Sequence, residues 1–96
     1  MNHIALFKFN EDVTDIQIDA ITSGLEGLRS KIDVLEAYQF GRDLGQIEGT
    51  WDYGVVATIA DPADYPTYRD HPDHVELLEN LIKPVVSAVA RVQIAG

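Results

Sequence analysis

Apolar and polar positions divide the chain into segments of distinct period. Residues 3 to 9, HIALFKF, put His3, Ala5, Phe7 and Phe9 on one side of an extended segment and Ile4, Leu6 and Lys8 on the other. This is the first strand, and both of its faces are largely apolar. Residues 34 to 40, VLEAYQF, read as the second strand, and residues 53 to 60, YGVVATIA, as the third. In the third, Tyr53, Val55, Ala57 and Ile59 lie opposite Gly54, Val56, Thr58 and Ala60, again apolar on both sides, as in a covered part of a sheet. The closing stretch VVSAVARVQIA gives a fourth strand. GRDLGQIEGT, between the second and third strands, is a glycine-bearing polar loop.

The remaining segments follow the helical period. Thr14 and Gln17 stand at the spacing of a capping box, and Ile18, Ile21, Leu25, Leu28 and Ile32 then recur as one apolar stripe on a helix running to about Arg29. Gly24 and Gly27 each lower its propensity by roughly 1 kcal/mol relative to alanine, so its end either frays or packs tightly against the sheet. Asp61-Pro62 pairs an N-cap with a first-turn proline, which predicts a short helical turn carrying Tyr65 and Tyr68. His71-Pro72 repeats the device and predicts a helix through Val75, Leu77, Leu78, Leu81 and Ile82, stopped or kinked by Pro84. The order is β-α-β-β-α-β, the split arrangement in which a four-stranded antiparallel sheet carries both helices on one face: an α+β, ferredoxin-like fold.

That fold leaves the opposite sheet face bare. Because the strands are apolar on both sides, the bare face exposes more apolar surface than a soluble monomer tolerates, and a homodimer joined through the two sheet faces is expected. Length points the same way, since a single domain spanning residues 1–96 buries only a modest core of its own.

Charge and composition narrow the partners. With 7 Lys and Arg against 16 Asp and Glu the formal charge is −9, which repels nucleic acid and anionic membrane surfaces. There is no cysteine, hence no disulfide framework, thiolate metal site or thiol nucleophile. The opening MNHIALFKFNED is too short and too polar for a signal peptide or a membrane span, so the expected location is the cytosol.

The opening H-x-x-x-x-K-F (His3, Lys8, Phe9), the motif Y-x-x-H-P-x-H (Tyr68, His71, Pro72, His74) and the element order together resemble the stress-responsive dimeric α/β-barrel, or Dabb, family over nearly the whole chain. The resemblance implies a homodimer whose sheets close into a barrel, with a pocket between sheet and helices in each protomer. It does not imply one reaction. The sequence is similar to the family's polyketide cyclases of the olivetolic acid cyclase type, which close a linear polyketide by aldol condensation without a cofactor, using a tyrosine and a histidine. By that similarity the catalytic pair falls on Tyr68 and His74, the first-strand histidine on His3 and the intervening His-Pro on His71-Pro72. Tyr53 replaces a further pocket histidine.

In that chemistry His74, near a helix start that disfavours imidazolium, is a neutral general base, and Tyr68 donates to the carbonyl oxygen on which charge grows. His3, Tyr53, His71 and Phe7 are the expected substrate contacts. Each has a plainer role beside it: His74 as a helix-start residue bonded to backbone or solvent, His71 as a cap, His3 as a satisfied core histidine, and Tyr53 and Phe7 as core aromatics. No metal is expected, because His71, His74 and their aspartates lack the spacing of a zinc helix, and no phosphate loop announces a flavin. The main function classes are a cofactor-free cyclase or isomerase acting on a small organic molecule, and a non-catalytic stress-responsive or ligand-carrier protein; a third is a cofactor-free oxygenase, which needs a substrate able to give up an electron to oxygen.

Overall fold

The computed structural model describes residues 1–96. Strand β1 (Asn2–Phe9) is followed by helix α1 (Asp15–Arg29) and strands β2 (Leu35–Arg42) and β3 (Tyr53–Ile59). A 3-10 turn (Pro62–Asp64), α2 (Tyr65–Arg69), α3 (Pro72–Leu77) and strand β4 (Val86–Ile94) complete it. The sheet order is β2-β3-β1-β4 and every neighbouring pair is antiparallel.

Local chemistry sets the helix starts. The Gln17 N–H donates to Thr14 Oγ1 at 3.2 Å while the Thr14 N–H donates to Gln17 Oε1 at 2.9 Å, closing the capping box. Ile18, Ile21, Leu25 and Leu28 are the buried stripe of α1. Its C-terminal half does not fray, and Gly24 packs against α3, not against the sheet as expected: a Cβ at position 24 would stand 2.5 Å from Leu77 Cδ1.

The second crossover is more divided than the sequence pattern indicates. His71 precedes a proline and adopts φ −58°, ψ 131°, outside the helical region, so α2 and α3 are separate helices. Beyond Leu77 the helix widens into a π turn (Leu78–Ile82), in which the Lys83 N–H donates to the Leu78 carbonyl, and tightens into a 3-10 turn (Lys83–Val85). Pro84 has no N–H to continue an α ladder, and the chain passes through these two turns to β4.

The core lies between the sheet's inner face and the helices: Phe7, Tyr38, Tyr53, Val55, Ala57 and Ile59 meet Ile21, Leu25, Tyr68, Leu77 and Ile82. Register places Val89, Arg91 and Gln93 of β4 opposite Phe7, Ala5 and His3, and so on this inner face. Ile4, Leu6, Val56, Ala90 and Val92 share the outer face, where Val92 is 53% exposed.

Candidate active site

Tyr68 comes from the last turn of α2 and His74 from the first turn of α3, and the two rings lie in tilted contact with centroids 4.3 Å apart. The bend at His71-Pro72 turns the chain back so that these side chains face the same space. That space is a cavity of about 230 Å³ between sheet and helices, lined by His3, Phe7, Tyr38, Tyr65, Tyr68, His74 and Arg91 among others. His3 stands over Tyr65 at 4.8 Å and lies 6.4 Å from Tyr68.

Hydrogen bonds fix the protonation of both cavity histidines. His74 Nδ1 lies 2.9 Å from the carbonyl oxygen of Arg69. A carbonyl only accepts, so Nδ1 carries the proton and Nε2 keeps its lone pair. Nε2 makes no hydrogen bond within the chain, yet no sealed side-chain polar atom is without a partner, so Nε2 is accessible, on a residue that lines the cavity. The amide of Gln93 donates to His3 Nδ1 at 3.0 Å, so the neutral His3 ring carries its proton on Nε2.

Burial holds both imidazoles below their ordinary range. For His74 it outweighs the opposing effect of the Arg69 carbonyl, and for His3 it is reinforced by the positive charge of Arg91 and by His74. Both are neutral near pH 7.

The Tyr68 hydroxyl lies 2.8 Å from that of Tyr38 on β2. Burial pushes the Tyr68 phenol up to about 12. Burial and the neighbouring Tyr68 push Tyr38 further still, so both phenols keep their protons and either hydroxyl can donate to the other. With Tyr38 donating to the Tyr68 oxygen, the Tyr68 proton is free for a ligand. A protonated donor thus stands beside a histidine whose free nitrogen accepts.

Of the expected contacts, His3, Phe7, Tyr68 and His74 line one cavity, and Tyr53 and His71 do not. Tyr53 is 1% exposed and its hydroxyl is taken by Thr22 Oγ1 of α1 at 2.7 Å, so it joins helix to sheet beneath Phe7. The His71 ring accepts the Asp73 N–H through Nδ1 at 3.2 Å, which caps α3. Tyr38 and Arg91, which the sequence reading does not single out, also line the cavity, as does Tyr65 of the helical turn. The one available signal for Tyr38 was its inward position in the alternation of β2. No three His, Asp or Glu side chains come close enough to share a metal ion.

Residues 1–94 match the family described as the stress responsive A/B barrel domain. The chain belongs to that family. A stress-response A/B barrel domain-containing protein of Arabidopsis thaliana is 30% identical over 77 residues, which are 77% of this chain and 67% of that protein. A dimeric ferredoxin-like protein of unknown function from Thermobifida fusca is 38% identical, with a TM-score of 0.91 over 99% of this chain and 89% of that one. The hydroxynitrile lyase of Passiflora edulis, 18% identical, superposes with a TM-score of 0.81 over 95% of this chain and 87% of the enzyme, a likeness of fold. In this A/B barrel domain the ferredoxin-like fold is four antiparallel strands with the helices on one face. No helix is long and apolar enough to cross a membrane.

Proposed function

We propose that this A/B barrel domain is a homodimer, closed through its outer sheet faces, in which each protomer holds a small organic carbonyl compound and moves a proton on it without a cofactor. His74 is the base and Tyr68 the hydrogen-bond donor, while His3 and Phe7 shape the pocket. The observation that carries this reading is the His74 ring, with Nδ1 tied to the Arg69 carbonyl and Nε2 unbonded and unsealed, on a residue that lines one cavity with Tyr68. A neutral imidazole can take a proton from carbon beside a carbonyl, and a protonated phenol can hold the oxygen on which negative charge then grows. The reaction class is aldol-type closure or isomerisation.

Size limits the substrate. A cavity of about 150 Å³ holds benzene, and drug-sized ligands need roughly 300 Å³ or more. At about 230 Å³ this cavity suits one ring with a short substituent, or a short β-keto chain.

Dimerisation is supported by the apolar outer face around Ile4, Leu6 and Val56, and by the dimeric state of the Thermobifida fusca relative. That the Passiflora edulis protein of this fold is a lyase adds an analogy of fold alone.

The test is turnover of a panel of β-keto and aromatic carbonyl compounds. His74→Ala should lower kcat/KM on a compound that turns over by about 10²-fold or more, and Tyr68→Phe by a similar factor. Unchanged turnover in His74→Ala removes the catalytic assignment. The second reading, a non-catalytic stress-responsive or ligand-carrier protein, is favoured by the Tyr38–Tyr68 bond, which satisfies Tyr68 with no reaction at all. Saturable binding of the panel without turnover would select it.

A further inference from the structure

The cavity is built to receive a negative charge from its ligand. Five of the chain's seven basic side chains, Arg29, Lys31, Arg42, Arg69 and Lys83, pair with carboxylates. Lys8 lies over the Trp51 ring, 5.1 Å from its centroid. Arg91 alone has neither a carboxylate nor an aromatic ring as partner, in a chain with 16 acids to choose from. It stands on the inner face of β4 and lines the cavity with His3, Tyr68 and His74.

No Asp or Glu lines that cavity. The other arginine there, Arg69, has its guanidinium committed to Asp70, with Nε and Nη2 each 2.8 Å from a carboxylate oxygen. With both histidines neutral, the one uncompensated charge at the mouth is that of Arg91. Its guanidinium presents a planar fork of N–H donors that matches a carboxylate.

We propose that the ligand is a small organic carboxylate, held by Arg91 at the cavity mouth with its ring or chain directed inward past His3 and Tyr68. This rests on the reading of the cavity as a ligand site, and it narrows the substrate class to keto acids and aromatic acids. Arg91 is a binding residue that selects the acid over its uncharged analogue.

Benzoate and benzamide separate the two claims, since they share a shape and differ in charge. Binding is read from the ring-proton NMR signals of His3 and His74 at about pH 8, where both are neutral, with His71 outside the cavity as an internal control. Because Arg91 is exposed, screening limits the gain, and benzoate should bind about three- to tenfold more tightly than benzamide. Arg91→Gln should abolish that preference without weakening benzamide, Arg91→Lys should keep part of it, and added salt should shrink it in the unmodified protein.

Equal affinities in the unmodified protein, or a preference that survives Arg91→Gln, would overturn the carboxylate assignment and leave the ligand site standing. Should Arg91→Gln fail to fold, a salt-independent preference in the unmodified protein is the overturning result. If neither compound moves the His3 and His74 signals at about 20 mM, far above the millimolar range of weak fragment binding, the carboxylate assignment and the ligand-site reading fall together.

Discussion

Removing the Tyr38 and Tyr68 hydroxyls, singly and together, measures how much the site depends on their mutual bond. The two oxygens are 2.8 Å apart and both residues are buried, at 3% and 4% exposure. Tyr38→Phe loses one hydrogen bond and leaves the Tyr68 oxygen facing the cavity, where water can reach it. The cost is therefore nearer the net value of a hydrogen bond, about 1 kcal/mol, than the penalty of about 3 kcal/mol for a sealed orphan. Tyr68→Phe strands the Tyr38 hydroxyl in the same way and should cost about 1 to 2 kcal/mol. Removing both leaves two apolar rings of nearly unchanged shape, and the double variant should be little worse than either single one. The coupling energy is then about 1 kcal/mol. Urea denaturation at one fixed protein concentration gives the four stabilities, and fixing the concentration matters because dimerisation contributes to the apparent value. Each kilocalorie also moves Tm by roughly 4–8 °C in a domain of this size. If the double variant's loss equals the sum of the singles to within about 0.5 kcal/mol, the two hydroxyls are independent and the assignment of Tyr68 as a positioned donor is wrong.

The other predictions concern pH, helix packing and assembly. Because the folded pKa values of His3 and His74 lie below the unfolded value of 6.5, the unfolded chain binds more protons between the two values, so stability is complete above pH 6.5 and falls as pH drops toward the folded values. A Tm series between about pH 7.5 and 5.5 should show that loss, and His74→Asn should flatten it; an unchanged slope would mean that His74 does not contribute. A Cβ at position 27 meets nothing within 4 Å, so Gly27→Ala should stabilise by up to about 1 kcal/mol, whereas Gly24→Ala should lose about 1–3 kcal/mol and push Leu77 into the cavity. Denaturation and benzoate titration of the two variants check both halves, and equal behaviour would refute the packing argument. Val56→Asp, at the centre of the outer sheet face, should yield monomer by sedimentation at micromolar concentration; a persisting dimer would place the interface elsewhere.

The fold was legible where local chemistry and hydrophobic period agreed. Thr14 and Gln17 announced α1, period-two alternation separated the faces of β1 and β3, and the Asp61-Pro62 and His71-Pro72 steps marked the helix starts. The widening at Leu78–Ile82 was not legible, because the apolar spacing there suits an α-helix and the departure answers to how the chain reaches Pro84 and β4. The site was legible in part for a related reason. His71 and His74 make their hydrogen bonds within one short stretch, and Tyr68 meets His74 there, whereas the Tyr38–Tyr68 bond joins positions 30 residues apart. Tyr53 was misleading for the same cause: its inward position is right, but the rotation of α1 brings Thr22 to its hydroxyl and closes it off from the cavity.

The structural and chemical roles of His74 share one bond. The Arg69 carbonyl at the end of α2 is among the acceptors a helix leaves without an internal partner, and the His74 Nδ1–H supplies its donor at 2.9 Å. That bond also fixes the tautomer and leaves Nε2 with its lone pair free. A helix-end role and a catalytic role are therefore not alternatives at this position, and a simple deletion such as His74→Ala removes both at once. His74→Asn separates them, because the amide can still donate to the carbonyl but offers no basic nitrogen. If the base assignment is right, His74→Asn keeps most of the stability that His74→Ala loses while turnover falls as far in one as in the other. A His74→Asn protein that is stable and still active would leave the imidazole with its structural role alone.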